Sequence, residues 1–133
     1  MDEKTKQAPR AAGPYSLTVQ CSGEVLYLAG QSSTDPTTGE PVQGSAQEQT
    51  RRTLQNVEAL LESAGYTLED LAQVTCFLTD IEDWSSMNEA YVDYFDGRSF
   101  PARAAVAVSA LPFGLDVEMV CVAQRRAPAE RNG

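Results

Sequence analysis

One amphipathic helix with clear ends constrains the fold of this chain more than any other segment. The motif Ser45-Ala46-Gln47-Glu48 has the pattern of a capping box, in which the serine hydroxyl and the glutamate carboxylate satisfy backbone donors at a helix start. Small or apolar side chains then recur at helical spacing up to Ala64, and Gly65 is a typical helix stop. Because such a helix must bury its apolar face against another layer, the rest of the chain is expected to supply a sheet.

The segments around this helix predict that sheet. Two β-rich runs, residues 17–21 and 25–29, precede the helix, and Ser22-Gly23-Glu24 between them is a hairpin signal. Residues 31–44 then form a polar loop. A strand over 72–78, a second helix opened by Asp83, and strands over 102–109 and 115–123 complete the chain. The order ββαβαββ predicts an α+β fold with both helices on one face of the sheet.

The other face of this sheet carries apolar side chains that two helices do not reach. They include Val19, Val25, Val106 and Val120. Self-association through this uncovered face is therefore expected.

Length and composition fit one soluble globular domain. The chain has 133 residues, 42% hydrophobic and 22% charged, so residues 1–133 are interpreted as a single domain with flexible tails at 1–10 and 125–133. The mixed-charge start Met1-Asp2-Glu3-Lys4 has no apolar run behind it, and the longest uncharged apolar stretch, 104–115, is too short to span a bilayer. Three widely spaced cysteines are typical of reduced, packed thiols. A cytoplasmic protein without membrane attachment is expected.

Two features of the composition argue against whole classes of function. The chain contains no histidine, which excludes Ser/His and Cys/His catalytic pairs and histidine-ligated metals. Its formal net charge is −9, and between residues 11 and 124 four arginines stand against sixteen acidic residues. Such a surface repels phosphate backbones, so nucleic acid is not an expected partner. The sequence has no paired-cysteine metal motif and no dinucleotide fingerprint, and neither a metal nor a cofactor is predicted.

Arg103 is the most informative single residue. It stands alone in the segment Ala102-Arg103-Ala104-Ala105-Val106-Ala107, whose small side chains neither shield nor neutralise it. A guanidinium keeps its proton, so a buried arginine needs an anion, and a planar carboxylate fits it through two parallel hydrogen bonds. The sequence leaves two interpretations: a small anion that enters from outside, or a structural ion pair with one of the nearby carboxylates.

Four further positions are candidates for a ligand pocket, and three of them have a structural alternative. Glu118 in the last strand is either a proton carrier or a solvent-facing strand residue. Tyr15, at a turn before the first strand, either lines a pocket or caps the core. Asn88 in the second helix is by default a structural hydrogen-bonding residue, and Gly30 offers backbone open to close ligand approach.

Several short motifs occur together along residues 8–126. They are Ala12-Gly13-Pro14-Tyr15-Ser16, Ala29-Gly30-Gln31, Gln49-Thr50-Arg51 with Asn56, Phe77-Leu78-Thr79-Asp80, Met87-Asn88-Glu89-Ala90-Tyr91, Phe100-Pro101-Ala102-Arg103 and Val117-Glu118. With this set the chain resembles the Rid/YjgF family of reactive-intermediate (enamine/imine) deaminases.

The resemblance implies a chorismate-mutase-like α+β fold, with a mixed sheet and two helices on one face, that assembles as a homotrimer with sites in clefts between subunits. It implies hydrolysis of small 2-enamino or 2-imino acids, such as 2-aminoacrylate, to 2-keto acids and ammonia. By the same resemblance Arg103 clamps the substrate carboxylate, and Glu118 positions or activates water and passes a proton. The implied substrate-binding positions are Tyr15, Gly30, Asn88 and Ala105.

Two departures from the family pattern bear on the substrate. Ala105 stands where the family usually has a cysteine, and Ser32-Ser33 replaces the usual Ile-Pro. Both changes indicate a larger or differently polar substrate, as in a biosynthetic pathway. Two other functions stay open: a non-catalytic trimeric binder of small carboxylates, and an endoribonuclease, which the acidity of the chain disfavours.

Overall fold

Within residues 10–126, the part of the chain that this computed structural model describes, five strands and two helices occur in the order ββαβαββ. The elements are β1 (Cys21–Tyr27), β2 (Gln31–Ser32), α1 (Ala46–Ser63), β3 (Leu71–Leu78), α2 (Trp84–Phe95), β4 (Ala102–Ala107) and β5 (Val117–Arg126). The predicted flexible tails lie almost wholly outside the described residues.

Helix α1 begins and ends where the sequence predicts. The Ser45 hydroxyl accepts a hydrogen bond from the backbone N–H of Glu48 at 3.1 Å, and the Glu48 carboxylate accepts one from the Ser45 N–H at 2.8 Å. Hydrogen bonding of the Glu48 carboxylate to the backbone and the side chain of Ser45 lowers the pKa of Glu48 below its ordinary value. Gly65, just beyond the helix, has a φ of 82°, a conformation that glycine adopts without strain.

The sheet is mixed, and both helices cover the same face. Strand β5 pairs antiparallel with β1, β2 and β3, whereas β3 and β4 are parallel, so β4 forms one edge of the order β1-β5-β3-β4. Alternate side chains of β3 and β5 are buried against the helices in one apolar cluster. This arrangement confirms the predicted α+β fold with two helices on one face.

The predicted first hairpin is wrong. Residues 17–20 form no strand, and Ser22-Gly23-Glu24 lies inside β1 instead of forming a turn. Gly23 has a φ of 102°, and the pairing of β1 with β5 changes register between Cys21 and Val25. Gly23 therefore marks an irregularity within one strand. Its positive φ is the one feature that it shares with a turn residue.

Strands β2 and β5 also extend beyond the predictions. The segment predicted as a polar loop begins with the two residues of β2, which pair with β5. Strand β5 continues past its predicted end at residue 123, into the predicted tail. Arg125 near its end donates a hydrogen bond to the Asp70 carboxylate at 2.8 Å, and its guanidinium carbon lies 4.2 Å from the centre of the Tyr66 ring.

The uncovered face of the sheet is apolar, as the sequence predicts. Val25, Val106 and Val120 are 43%, 42% and 38% exposed, and Tyr27 on the same face is 77% exposed. Val19, also predicted for this face, instead lies in the segment that forms no strand. A single copy of the chain therefore leaves an apolar surface in contact with solvent.

Candidate functional site

Arg103 lies on the helix-covered side of the edge strand β4. It is in register with the buried Val74 of β3, and alternation along the strand directs both side chains to the same face. Its guanidinium carbon is 4.9 Å from the ring centre of Tyr91 on α2 and 5.9 Å from that of Tyr15. Two aromatic rings therefore flank the positive charge.

No carboxylate of the described residues neutralises this guanidinium. The ion pairs of that region join Arg98 to Glu58 and Arg125 to Asp70, and neither includes Arg103. The Nε and Nη1 atoms of Arg103 are shielded from solvent and have no hydrogen-bond partner. Burial of an unpaired charge is costly, so this side chain is suited to bind an anion from outside. Of the two interpretations of Arg103, the structural ion pair is wrong for residues 10–126.

A short backbone pairing carries Tyr15 to this site. The N–H of Ser16 donates to the carbonyl of Pro101 at 2.9 Å, and its hydroxyl donates to the carbonyl of Phe100. Because Pro101 precedes β4 directly, this pairing holds the preceding Tyr15 ring beside Arg103. Of the two roles considered for Tyr15, its position suits a pocket-lining residue.

Helix α2 adds further unpaired polar atoms on the Arg103 side of the sheet. Asn88 and Tyr91 are three positions apart and lie on the same side of the helix. Asn88 Oδ1 and the Tyr91 hydroxyl are buried without a partner, so the structural hydrogen bond expected for Asn88 is not made by this oxygen. Together with the two Arg103 nitrogens, these are all the buried, unpaired side-chain N and O atoms of the described chain. Their concentration at β4 and α2 marks this region as the candidate site.

Glu118 lies on the opposite face of the sheet. Its neighbours in β5, Val117 and Met119, are buried under the helices, so the Glu118 side chain points to the uncovered face. Its carboxylate packs against Gly30, where an added Cβ would lie 2.8 Å from Oε2. Gly30 therefore permits a close approach, and the group that approaches it in this chain is a carboxylate of the protein itself. The approach of a ligand to Gly30 stays a prediction.

One chain does not bring all the predicted site residues together. Glu118 and Arg103 lie in strands separated by β3 and are in register with residues three positions apart on it, Phe77 and Val74. Their backbones are therefore roughly 14 Å apart, and their side chains point to opposite faces of the sheet. Tyr15 and Ala105 accompany Arg103, and Ala105 packs against the core two residues further along β4. Gly30 accompanies Glu118.

Tyr91 is the residue that the sequence did not single out. Tyr91 follows Asn88 by three positions in the predicted second helix, and this spacing is the signal that could have identified it. Burial raises the pKa of Tyr91 well above 10, and the positive charge of Arg103 opposes this shift only in part. Burial likewise raises the pKa of the nearby Cys76 thiol to about 12. Both groups therefore keep their protons at neutral pH.

The described residues lack a metal-binding cluster and a membrane-spanning helix. Between residues 10 and 126, no cluster of three or more histidine, cysteine or acidic side chains is placed to hold a metal ion. No helix in the same range has the length and apolar character needed to cross a bilayer.

Comparison with known proteins agrees with the fold. The family model described as Endoribonuclease L-PSP matches residues 5–125. A RutC family protein of Pyrococcus horikoshii is 46% identical over 121 residues, which cover 91% of this chain and 94% of that protein. The mouse 2-iminobutanoate/2-iminopropanoate deaminase is 40% identical over 119 residues, covering 90% of this chain and 87% of that protein. The crystal structure of YyfA from Yersinia pestis, a protein of unknown function of the conserved Rid family, superposes with a TM-score of 0.73 at 44% identity, covering 90% of this chain and 94% of that chain.

Sequence and fold thus define one class of small α+β domain, matched here over nearly its whole length. The chain belongs to the Rid/YjgF family.

Proposed function

We propose that this protein hydrolyses small 2-imino or 2-enamino carboxylic acids to 2-keto acids and ammonia. The observation that carries the proposal is the guanidinium of Arg103, which has no acidic partner among residues 10–126. Its Nε and Nη1 atoms are shielded from solvent and have no hydrogen-bond partner. A planar carboxylate supplies the missing negative charge and accepts several hydrogen bonds at once. The deaminase activity in the name of the mouse relative agrees with this choice of substrate.

The proposed site is shared between neighbouring copies of the chain in a homotrimer. Glu118 lies on the same uncovered face as the exposed Val106 and Val120, and covering that face with another copy would bury these valines. Arg103 lies on β4, the edge strand of the sheet, and in the proposed trimer the next copy approaches it from that edge. We therefore combine Arg103, Tyr15, Asn88 and Ala105 of one copy with Glu118 and Gly30 of the next.

The proposed chemistry needs only orientation and proton transfer. Arg103 binds the substrate carboxylate and so fixes the adjacent imine carbon, which is already electrophilic. Glu118 accepts a proton from a water molecule as its oxygen bonds to that carbon, and then returns a proton to the nitrogen. As the C–N bond of the tetrahedral intermediate breaks, the hydroxyl on that carbon gives its proton to the departing nitrogen through Glu118, so that ammonia leaves and the carbonyl of the 2-keto acid forms. An enamine substrate first takes a proton on carbon to become the imine.

Mixing two inactive variants tests whether the site is shared. Arg103→Met and Glu118→Gln are each expected to abolish release of keto acid and ammonia from enzymatically generated 2-aminoacrylate. Co-refolding them in equal amounts regenerates sites that combine an intact Arg103 with an intact Glu118 from another copy. Random assortment restores about a quarter of the sites. No recovery in mixed oligomers would contradict a shared site, and full activity of either variant alone would contradict that residue's role.

A non-catalytic carboxylate binder is the second candidate. The separation of Arg103 from Glu118 within one chain favours it, because an isolated copy offers the anion site without the proton carrier. It predicts that 2-keto acids raise the thermal midpoint in an Arg103-dependent manner, while no turnover of 2-aminoacrylate is detected.

A further inference from the structure

We propose that Tyr91 is a ligand-binding residue of the Arg103 site and that its hydroxyl donates a hydrogen bond to the bound carboxylate. This inference rests on the proposed function, because it takes a 2-imino or 2-keto acid as the ligand.

The Tyr91 ring is held in a fixed position against Arg103. The residue is 0% exposed, and its ring centre lies 4.9 Å from the guanidinium carbon. On its other sides the ring packs at centroid distances of 4.8 Å from Phe95 and 6.0 Å from Phe100. This packing restricts both the ring and the guanidinium that stacks on it, so the two side chains form a rigid wall.

The Tyr91 hydroxyl makes no hydrogen bond within the described part of the chain. It is shielded from solvent and finds no hydrogen-bond partner in residues 10–126, and the same is true of Nε and Nη1 of Arg103. Buried hydroxyls in proteins are nearly always hydrogen-bonded, because an unpaired one lowers stability. A carboxylate has about four acceptor sites, so one bound carboxylate offers acceptors to both residues.

The protonation state of Tyr91 suits this role. Because burial holds the pKa of the hydroxyl well above 10, it carries a proton at any pH at which the protein would work. Cys76, which influences the Tyr91 hydroxyl electrostatically, also stays neutral. An entering carboxylate would therefore meet the positive charge of Arg103 and a neutral hydrogen-bond donor on Tyr91. Neither the Tyr91 hydroxyl nor the Cys76 thiol would repel it with a negative charge.

Helix α2 offers a matched control in Tyr94. The Tyr94 hydroxyl donates to the Glu58 carboxylate at 2.5 Å, so removing it breaks a hydrogen bond. Removing the Tyr91 hydroxyl breaks none. Tyr91→Phe and Tyr94→Phe therefore delete the same atom from the same helix, with opposite expected effects on the unliganded protein.

The test measures pyruvate affinity by calorimetry and the thermal midpoint without ligand. Tyr91→Phe keeps the ring against Arg103 and is expected to weaken pyruvate binding by about tenfold to a hundredfold, the size of one hydrogen bond to a charged group. Its unliganded midpoint is expected to equal or exceed that of the wild type. Tyr94→Phe is expected to lower the midpoint and to leave pyruvate affinity unchanged.

Two results would overturn the proposal for Tyr91 and leave the proposed function intact. One is wild-type pyruvate affinity in Tyr91→Phe. The other is a drop in its midpoint as large as that of Tyr94→Phe, which would show that the hydroxyl has an internal partner. Failure of the wild-type protein to bind pyruvate and 2-oxobutanoate at all would overturn the carboxylate site itself and, with it, the role of Tyr91.

Discussion

Replacing Arg103 by methionine separates a functional arginine from a structural one. Methionine keeps much of the length and flexibility of the arginine stem but carries no charge. If Arg103 serves an external anion, the unliganded protein has no ion pair to lose, since no carboxylate of the described residues contacts the guanidinium. We expect the variant to lose ligand affinity while the unliganded protein stays as stable as the wild type.

The structure gives the expected size of two effects of Arg103→Met, the loss of carboxylate affinity and the change in stability of the unliganded protein. Two buried donors, Nε and Nη1, await an acceptor. At about 1.5–3 kcal/mol for each hydrogen bond to a charged group, their loss weakens carboxylate binding by about 3–6 kcal/mol, or roughly a hundredfold to ten-thousandfold. For the unliganded protein, removal of unpaired buried donors contributes about 1–3 kcal/mol of stability. Loss of the contact with the Tyr91 ring subtracts about 1–2 kcal/mol. The net change in stability therefore lies between a loss of about 1 kcal/mol and a gain of about 2 kcal/mol.

Arg98→Met is the matched control for this substitution. Arg98 pairs with Glu58 at 3.3 Å and donates to the carbonyls of Phe95 at 2.9 Å and Tyr94 at 2.8 Å, where α2 ends. Its side chain is 39% exposed, so these contacts are partly screened, and we expect a loss of about 1–2 kcal/mol. Because Arg98 is outside the candidate site, pyruvate affinity should stay unchanged.

Urea unfolding and titration calorimetry with pyruvate check both variants. Unfolding is compared at one fixed protein concentration, because an oligomer gains apparent stability by mass action. The reasoning is refuted if Arg103→Met loses as much stability as Arg98→Met and still binds pyruvate like the wild type. In that case the guanidinium would have a structural role.

Local signals predicted the parts of the fold that local interactions determine. The capping pair Ser45 and Glu48 and the stop at Gly65 lie within α1 or next to it, so the sequence alone locates this helix. The prediction of a turn at Gly23 was wrong because the pairing of β1 with the distant strand β5 overrides the preference of glycine for turns. The Gly23 carbonyl accepts a hydrogen bond from the Gln124 side chain at 2.8 Å, 101 residues along the chain. Long-range contacts of this kind leave no mark in a short sequence window.

The candidate site shows the same division between local and distant causes. Arg103 stood out because its neighbours are small, a property of one short segment. Whether Arg103 has an acidic partner within residues 10–126 depends on which side chains the fold brings near it. The count of sixteen acidic residues between positions 11 and 124 does not answer that question. The opposite orientation of Glu118 follows from pairing of both strands with β3. Tyr91 escaped notice because an aromatic residue at helical spacing is ordinarily part of the core.

Two further predictions follow from close packing, one around Glu118 and the other around Arg103. The first is tested by a substitution and the second by chemical labelling. In Gly30→Ala the new Cβ would lie 2.8 Å from Glu118 Oε2, and the Glu118 carboxylate would have to move. Because that carboxylate is the movable end of a side chain, stability should change by less than about 0.5 kcal/mol, whereas its displacement should lower kcat about tenfold to a hundredfold. Unchanged deaminase turnover would contradict a catalytic role of Glu118. Native alkylation with iodoacetamide, followed by mass spectrometry, should modify Cys21, which is partly exposed, and spare Cys76 and Cys121. Burial raises the pKa of both latter thiols to about 12, and a thiol must lose its proton to react. As a control, all three thiols should react equally after denaturation. Equal labelling of Cys76 and Cys21 in the folded protein would contradict the burial of Cys76 and would show that the packing around Arg103 and Tyr91 opens to solvent.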